Sequence, residues 1–245
     1  MMPMQYFIDH QYIFVVPFEK NKVHMKKLMI SGCLLLISAI GLRAQMSEGH
    51  VSYTIEATTD NPDMQMAVGM LQGSTMEVYF KDKQTRSEMK MGAMMTITTV
   101  TNESTKEVLM LMSGMMGNTA VKSTIEELDQ RKEEQPEYEV TLIDETKEIS
   151  GYLCKKAIIT TEGMESVFWY TDQISVAKGG QSYLNSDVPG YPMQFEINNQ
   201  GMKMTMTVVK VEDKLDKKKA ADLFKMEVPS GYKEMTLEDL GEMGM

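Results

Sequence analysis

Between Gly201 and Lys210 the chain reads GMKMTMTVVK, with a methionine at every second position. On a β-strand, side chains two apart share a face and sit about 6.6–6.8 Å apart. Met202, Met204, Met206 and Val208 would therefore form one apolar row, with Lys203, Thr205 and Thr207 on the other side. The same period runs through most of the chain. Val51, Tyr53, Ile55 and Ala57 alternate with Ser52, Thr54 and Glu56; Met76, Val78 and Phe80 alternate with Glu77, Tyr79 and Lys81. Met193, Phe195 and Ile197 alternate with Gln194, Glu196 and Asn198. Further strands are predicted up to Met89 and Met91, and over Ile97–Thr101, Lys106–Met112, Gly117–Lys122, Tyr138–Asp144, Tyr152–Thr161 and Ser166–Thr171. Short polar joins such as KDKQ, NEST, TEGME and NNQG separate them. Strands this regular, with connections this short, favour an antiparallel meander over βαβ units. The predicted class is α+β, mainly antiparallel β.

Helices are few. Asn61-Pro62-Asp63 reads as an N-cap, a first-turn proline and an early acid, with Gly73 to close the helix. Ser123-Thr124-Ile125-Glu126 has the spacing of a capping box ahead of a charged helix. Short helices are also expected over Lys217–Phe224 and from Thr236-Leu237-Glu238-Asp239 onward. Nothing marks a domain boundary, and the charged run Asp129–Glu139 is the one candidate hinge.

The start of the chain sets the expected compartment. Met25 opens MKKLMISGCLLLISAIGLRAQ, a short basic region followed by the apolar run Leu28–Leu42. That is the layout of a secretory signal peptide with cleavage near Ala44, and the run is too short to span a membrane as a helix. Residues 1–24 read as an over-long start, 25–44 as the signal, and 45–245 as a single domain with its core over about 50–235. Lipid anchoring at Cys33 is the alternative, disfavoured because the cysteine lies inside the apolar run rather than at its end. The expected location is the periplasm or the exterior.

The exported portion is acidic. Removing the five Lys/Arg and two acids ahead of residue 45 leaves a net charge of −13. Such a body repels nucleic acid, which is excluded as a partner. Cys154 is the one cysteine left, so no internal disulfide can form, and a buried thiol in a strand is expected. His50 is the one histidine, and any Ser-His-acid or Cys-His device would have to use it. No GxSxG, HExxH, P-loop or GxGxxG pattern is present. The strand carboxylates alternate with apolar positions and so face water. The chain therefore reads as non-enzymatic, with no cofactor, and His50 reads as an exposed residue entering the first strand.

Several stretches carry a resemblance. EGHVSYTIEA, KEISGYLCKKAIITTEGMESVFWYT, VPGYPMQFEINNQGMKMTMTVVKVE and LFKMEVPSGYKEM follow one another in the order of the exported bacterial domain of unknown function 4412. The chain is also similar to the GLPGLI family, whose PG-x-P piece reads Pro189-Gly190-Tyr191-Pro192. The resemblance covers roughly His50–Met235. It implies a lipoprotein-carrier-like fold, a curved half-barrel sheet with short helices on its concave face, and a hollow that takes acyl chains.

With 27 methionines in 245 residues, the apolar face admits three readings. Methionine is unbranched and fills irregular gaps, so the face can be plain core. The same softness suits a pocket for a lipid or other apolar small molecule. Its lining would be Met89, Met91, Met110, Met112, Met202, Met204 and Met206, with Met64 and Met70 on a helical lid. Thioethers also suit copper(I), although His and Cys are nearly absent. Lipid binding or carriage in the envelope is the favoured expectation. A copper(I)-binding protein and a solid-core structural module with an envelope protein partner are the alternatives. Trp169 in VFWYT alternates with Val167 and Thr171, which predicts a ring half-buried in its strand, with a ligand platform as the minor reading.

Overall fold

A computed structural model describes residues 45–115, 117–133, 137–176, 187–199, 201–216, 220 and 222–242. The leader, the signal segment and Cys33 lie outside the described residues. Twelve strands form one sheet: β1 (Glu48–Thr59), β2 (Thr75–Lys81), β3 (Gln84–Met91), β4 (Met95–Asn102), β5 (Glu107–Gly114), β6 (Gly117–Thr124), β7 (Tyr138–Ile149), β8 (Tyr152–Thr161), β9 (Met164–Thr171), β10 (Tyr191–Asn199), β11 (Met202–Glu212) and β12 (Lys233–Met235). Their order is β12-β6-β5-β4-β3-β2-β1-β11-β10-β9-β8-β7. The two meanders, β2 to β6 and β7 to β11, are joined by the long first strand, which pairs with β2 on one side and β11 on the other. All these pairings are antiparallel.

The hairpins are built by local chemistry. Ser150 and Gly151 adopt φ of 50° and 82°, and Glu162 and Gly163 adopt 50° and 79°. Two consecutive left-handed residues make the turn whose twist matches the flanking strands. Gly190, in the PG-x-P piece, serves a close approach instead. A Cβ there would lie 2.6 Å from the Thr171 carbonyl oxygen and 2.7 Å from the Tyr170 ring.

Period two puts one set of side chains on one face, and that face curls inward. β10 and β2 lie three strands apart, or about 14 Å in a flat sheet. Yet the rings of Tyr191 and Phe80 are 6.3 Å apart. Phe195 stacks on Phe168 at 5.5 Å and meets Tyr53 edge-on at 6.2 Å. Val51, Val78, Ala157, Ile159, Met193, Met206 and Val208 belong to this cluster, each buried. Cys154 lies within it, fully buried, and the apolar surroundings push its thiol up to about 11. The Tyr53 hydroxyl donates to the Pro192 carbonyl at 2.8 Å, whereas the Tyr191 hydroxyl has no hydrogen-bond partner among the described residues.

The β4–β6 region is clad differently. On one face Val100, Leu109, Leu111 and Ala120 are covered by Met226, Val228 and Tyr232. The chain then adds β12 alongside β6, the one parallel pairing between named strands. On the opposite face Leu240 packs on Met112 and Val121. The C-terminal segment thus passes round the sheet edge and clamps both sides.

Three helices are described: α1 (Gln65–Met70), α2 (Ile125–Glu133) and α3 (Leu237–Glu242). Asn61 caps a 3-10 turn (Pro62–Met64) as expected, accepting from the Asp63 N–H at 3.0 Å. Neither that turn nor α1 buries a residue, so the predicted lid is not a lid. The concave face is filled by the sheet's own aromatic and aliphatic side chains. The second capping box sits one residue later than predicted. Thr124 and Glu127 exchange its two bonds, at 2.9 and 3.2 Å, because the helix starts at Ile125. Thr236 and Asp239 form the third cap at 2.9 and 3.1 Å. The helix expected over Lys217–Phe224 lies partly outside the described residues. Strand β12 had no sequence signal, being three residues long and dependent on β6 for its pairing.

Candidate functional site

The nine methionines singled out from the sequence do not converge. Met206 is buried in the first cluster, between Ile55 and Phe195, and Met204 and Met89 pack against it. Met112 and Met110 belong to the separate cluster under α3. Met91 pairs with Met95 at the end of a hairpin. Met64 is half-buried in its 3-10 turn, and Met70 is exposed at the end of α1. Met202 borders a cleft. The strand methionines share the closed side of the sheet, where Met89, Met110, Met112, Met204 and Met206 meet other side chains, and Met202 lies at its open end.

The opposite face carries the polar chemistry. Trp169 pairs across strands with Gln194 and with Lys156, and Gln194 pairs with Thr207. The Lys147 ammonium lies 4.2 Å from the centre of the Trp169 ring and that of Lys156 lies 5.7 Å away. Both distances are within cation–π range. Gln194 holds its orientation by donating to Thr207 Oγ1 at 2.8 Å, which aims its carbonyl oxygen at Lys147. Lys156 is paired with Glu145 at 3.1 Å.

Further along the same face lies His50, and the expectation of an exposed entry residue is corrected. β1 is interior to the sheet, so His50 sits between strands. Its Nε2 is 2.6 Å from Glu77 and its Nδ1 2.9 Å from Glu212, while its ring stacks on Tyr79 at 4.2 Å. The His50 contact, and then Lys210, hold the Glu212 carboxyl below the usual carboxylate range. Ser52 donates to Glu77 at 2.6 Å rather than to His50. A ring whose two nitrogens both face carboxylates has none left to activate a hydroxyl, so the array lacks the order of a Ser-His-acid device.

At the far end of the sheet, where β1, β9, β10 and β11 meet their turns and both faces run out, is an open cleft of about 490 Å³. Thr58, Asp60, Glu165, Asn198 and Lys203 supply polar groups, and Met164 and Met202 supply apolar contact. The Asn198 amide donates to the Glu165 carbonyl at 3.0 Å, and Lys203 pairs with Glu196 at 2.8 Å. Glu165, Val167 and Trp169 share a strand face by period two, so the cleft and the indole are two ends of one polar track. The sequence contained this alternation, but carboxylates facing away from an apolar row read as solvated surface. No group of three or more His, Cys, Asp or Glu side chains converges on a metal-sized site among the described residues.

Residues 70–236 match the family described as N-glycanase peptide, N-terminal domain, which is more than half of the chain. Among solved structures, two crystal forms of PNGF-II, in space groups C2 and P21, align over 80% of this chain at 17% and 15% identity. Their TM-scores are 0.48 and 0.47, and the alignment covers 32% and 33% of those chains. The chain therefore spans about a third of their length. A beta-barrel-like protein of domain of unknown function DUF1849 from Brucella abortus aligns over 69% of this chain and 99% of its own, at 9% identity and a TM-score of 0.32. No curated protein matches the chain.

The family match corrects the expected kinship. The chain is not assigned to domain of unknown function 4412 or to GLPGLI, and the lipoprotein-carrier fold falls with them. The stretches that suggested them are hairpins and a tight PG-x-P bend, features any exported antiparallel sheet can need. What stands is an α+β antiparallel sheet with a few short helices. The lipid-carrier and copper(I) readings fall on the same finding, and so does the solid-core module as an independent account. The methionines are spread over separate clusters, which removes the shared pocket both ligand readings needed.

Proposed function

The chain belongs to the N-glycanase peptide, N-terminal domain family, and from that premise we propose that it is an exported, non-catalytic domain that contacts N-glycans on the glycoprotein substrate of an N-glycanase. One observation carries the reading: the open cleft at the end of the sheet. Its volume falls within the range of about 300–1,000 Å³ usual for small-ligand sites. Its carboxylates, amide and threonine hydroxyls suit a sugar's hydroxyl groups, which both donate and accept. The thioethers of Met164 and Met202 suit the apolar C–H faces of the same ring. The non-catalytic part is supported by the commitment of Ser52 to Glu77 and of both His50 nitrogens to carboxylates. Export is supported by the layout of residues 25–44.

Calorimetric titration of residues 45–245 with an oligomannose glycopeptide should show saturable binding, weakened at least tenfold by Glu165→Ala or Asp60→Ala. The aglycosylated peptide should not bind. Binding of both peptides alike would refute glycan contact, and release of free glycan from the glycopeptide would refute the absence of catalysis.

A further inference from the structure

Lys147 is an anomaly in an acidic molecule. It is half-buried and stacked on the indole of Trp169. Its hydrogen-bond partner is the neutral Gln194 side chain, and among the described residues no carboxylate lies within ion-pair distance of it. Burial lowers its pKa; Cys154 and Glu196 act in the opposite direction, and the adjacent Lys156 lowers it further. Glu196, the nearby acid, is already paired with Lys203 at 2.8 Å. A partly desolvated ammonium without a counter-ion costs free energy. Among the described residues Lys147 is left without a carboxylate, while the neighbouring Lys156 is paired. Two ammonium groups thus converge on one aromatic ring, beside an amide of fixed orientation, and only Lys156 has a carboxylate partner among the described residues.

We propose that the Trp169–Lys147–Lys156–Gln194 platform binds an acidic sugar, a pyranose bearing a carboxylate or sulfate ester, as the charged part of the glycan. The inference rests on the glycan reading above and names the substrate class that its polar face prefers. The anion bridges the two ammonium groups as a charge-assisted acceptor. Trp169 lies beneath the two ammonium groups, so its ring senses the anion that they hold. Gln194 supplies the neutral contact. The cleft near Glu165 is acidic and takes a neutral sugar, so the two ends of the track divide the glycan by charge.

Trp169 is the chain's single tryptophan, so its emission reports this site alone. Residues 45–245 would be titrated with a glucuronate–N-acetylglucosamine disaccharide, a sulfated N-acetylglucosamine disaccharide, neutral N,N′-diacetylchitobiose and sodium sulfate. The expected result is a saturable change in Trp169 emission for an acidic disaccharide, with a Kd at least tenfold below that of the neutral one. Which of the two acidic compounds binds tighter identifies the anion. Lys147→Met keeps the stacking bulk and should weaken acidic binding at least tenfold, as should Lys156→Met to a lesser degree. If Lys147→Met fails to fold, the wild type still decides: acidic binding should weaken as salt is raised from 20 to 300 mM, by the screening expected over about a Debye length. Equal affinity for acidic and neutral sugars, indifference to Lys147→Met or to salt, or sodium sulfate binding as tightly as either disaccharide overturns the proposal. Oligomannose glycopeptide binding that persists without acidic preference overturns this inference alone; loss of every glycan response overturns both.

Discussion

The two faces of the sheet were made from the same alternating strands and have opposite fates. The concave face between β2 and β8 closes on itself through Tyr53, Phe80, Phe168, Tyr191 and Phe195. The other face, on the same strands, holds His50, Glu77, Trp169, Gln194 and Lys147 in half-buried side-chain contacts. Methionine sits mainly on the first, yet the chemistry lies on the second. An abundant soft side chain marks where a curled sheet needs gap-filling, and function is better sought where polar groups are held without full compensation.

Substitutions on the two faces should separate sharply. Phe195→Ala removes a ring fully packed between Phe168 and Tyr53 and should cost about 3–5 kcal/mol in urea unfolding. Trp169→Ala should cost clearly less, and equal costs would break the contrast. Met206→Ala, in the same closed cluster, should cost about 2–5 kcal/mol, whereas Met202→Ala at the cleft should cost under about 1 kcal/mol.

Alkali offers a finer probe. Burial raises the Cys154 thiol to about 11 from an ordinary 9.0, so the folded state resists the thiolate. Its contribution to stability is complete below pH 9 and declines as pH rises toward 11, by about 3 kcal/mol for a two-unit gap. Melting temperatures of Cys154→Ala should lack that component of the alkaline slope. Smaller still is the tyrosine pair. Tyr53→Phe leaves the Pro192 carbonyl without its donor and should cost about 1 kcal/mol, while Tyr191→Phe deletes an unpartnered hydroxyl and should be neutral or stabilising. The smallest effect is expected in acid. Glu127 and Asp239 are held below the carboxylate range by their capping bonds, and Glu212 by His50. Their contributions are present above the ordinary carboxylate pKa and are lost as pH falls through the depressed values. Far-ultraviolet dichroism should show α2 and α3 loosening there before the sheet does.

The strands were legible because each one buries a single face, and alternation records that directly. β11 and β10 could be paired from Met206 opposite Phe195 and a turn ending in Gly201. The position of His50 was not legible, because strand order decides whether β1 is an edge or an interior strand, and pairing with β11 spans the whole chain. The Thr124 cap was misplaced by one residue because Ser123 and Thr124 offer the same hydroxyl and Glu126 and Glu127 the same carboxylate. The half-burial of Trp169 follows from its alternation, but its two lysines come from β7 and β8 and are joined to it only by the register. Kinship is not legible in these stretches, because hairpin-forming sequences describe a kind of backbone that several families share.

The most direct test uses the methionines themselves. Residues 45–245 labelled with ¹³C in the methionine methyl groups would be titrated with an oligomannose glycopeptide and followed by NMR. Shifts confined to Met164 and Met202, with Met112, Met193 and Met206 unmoved, are the predicted result: the cleft at the sheet end meets the glycan while the closed clusters meet nothing. Shifts at Met112, Met193 or Met206 without any at Met164 and Met202, or no shift at all at saturating glycopeptide, would contradict it.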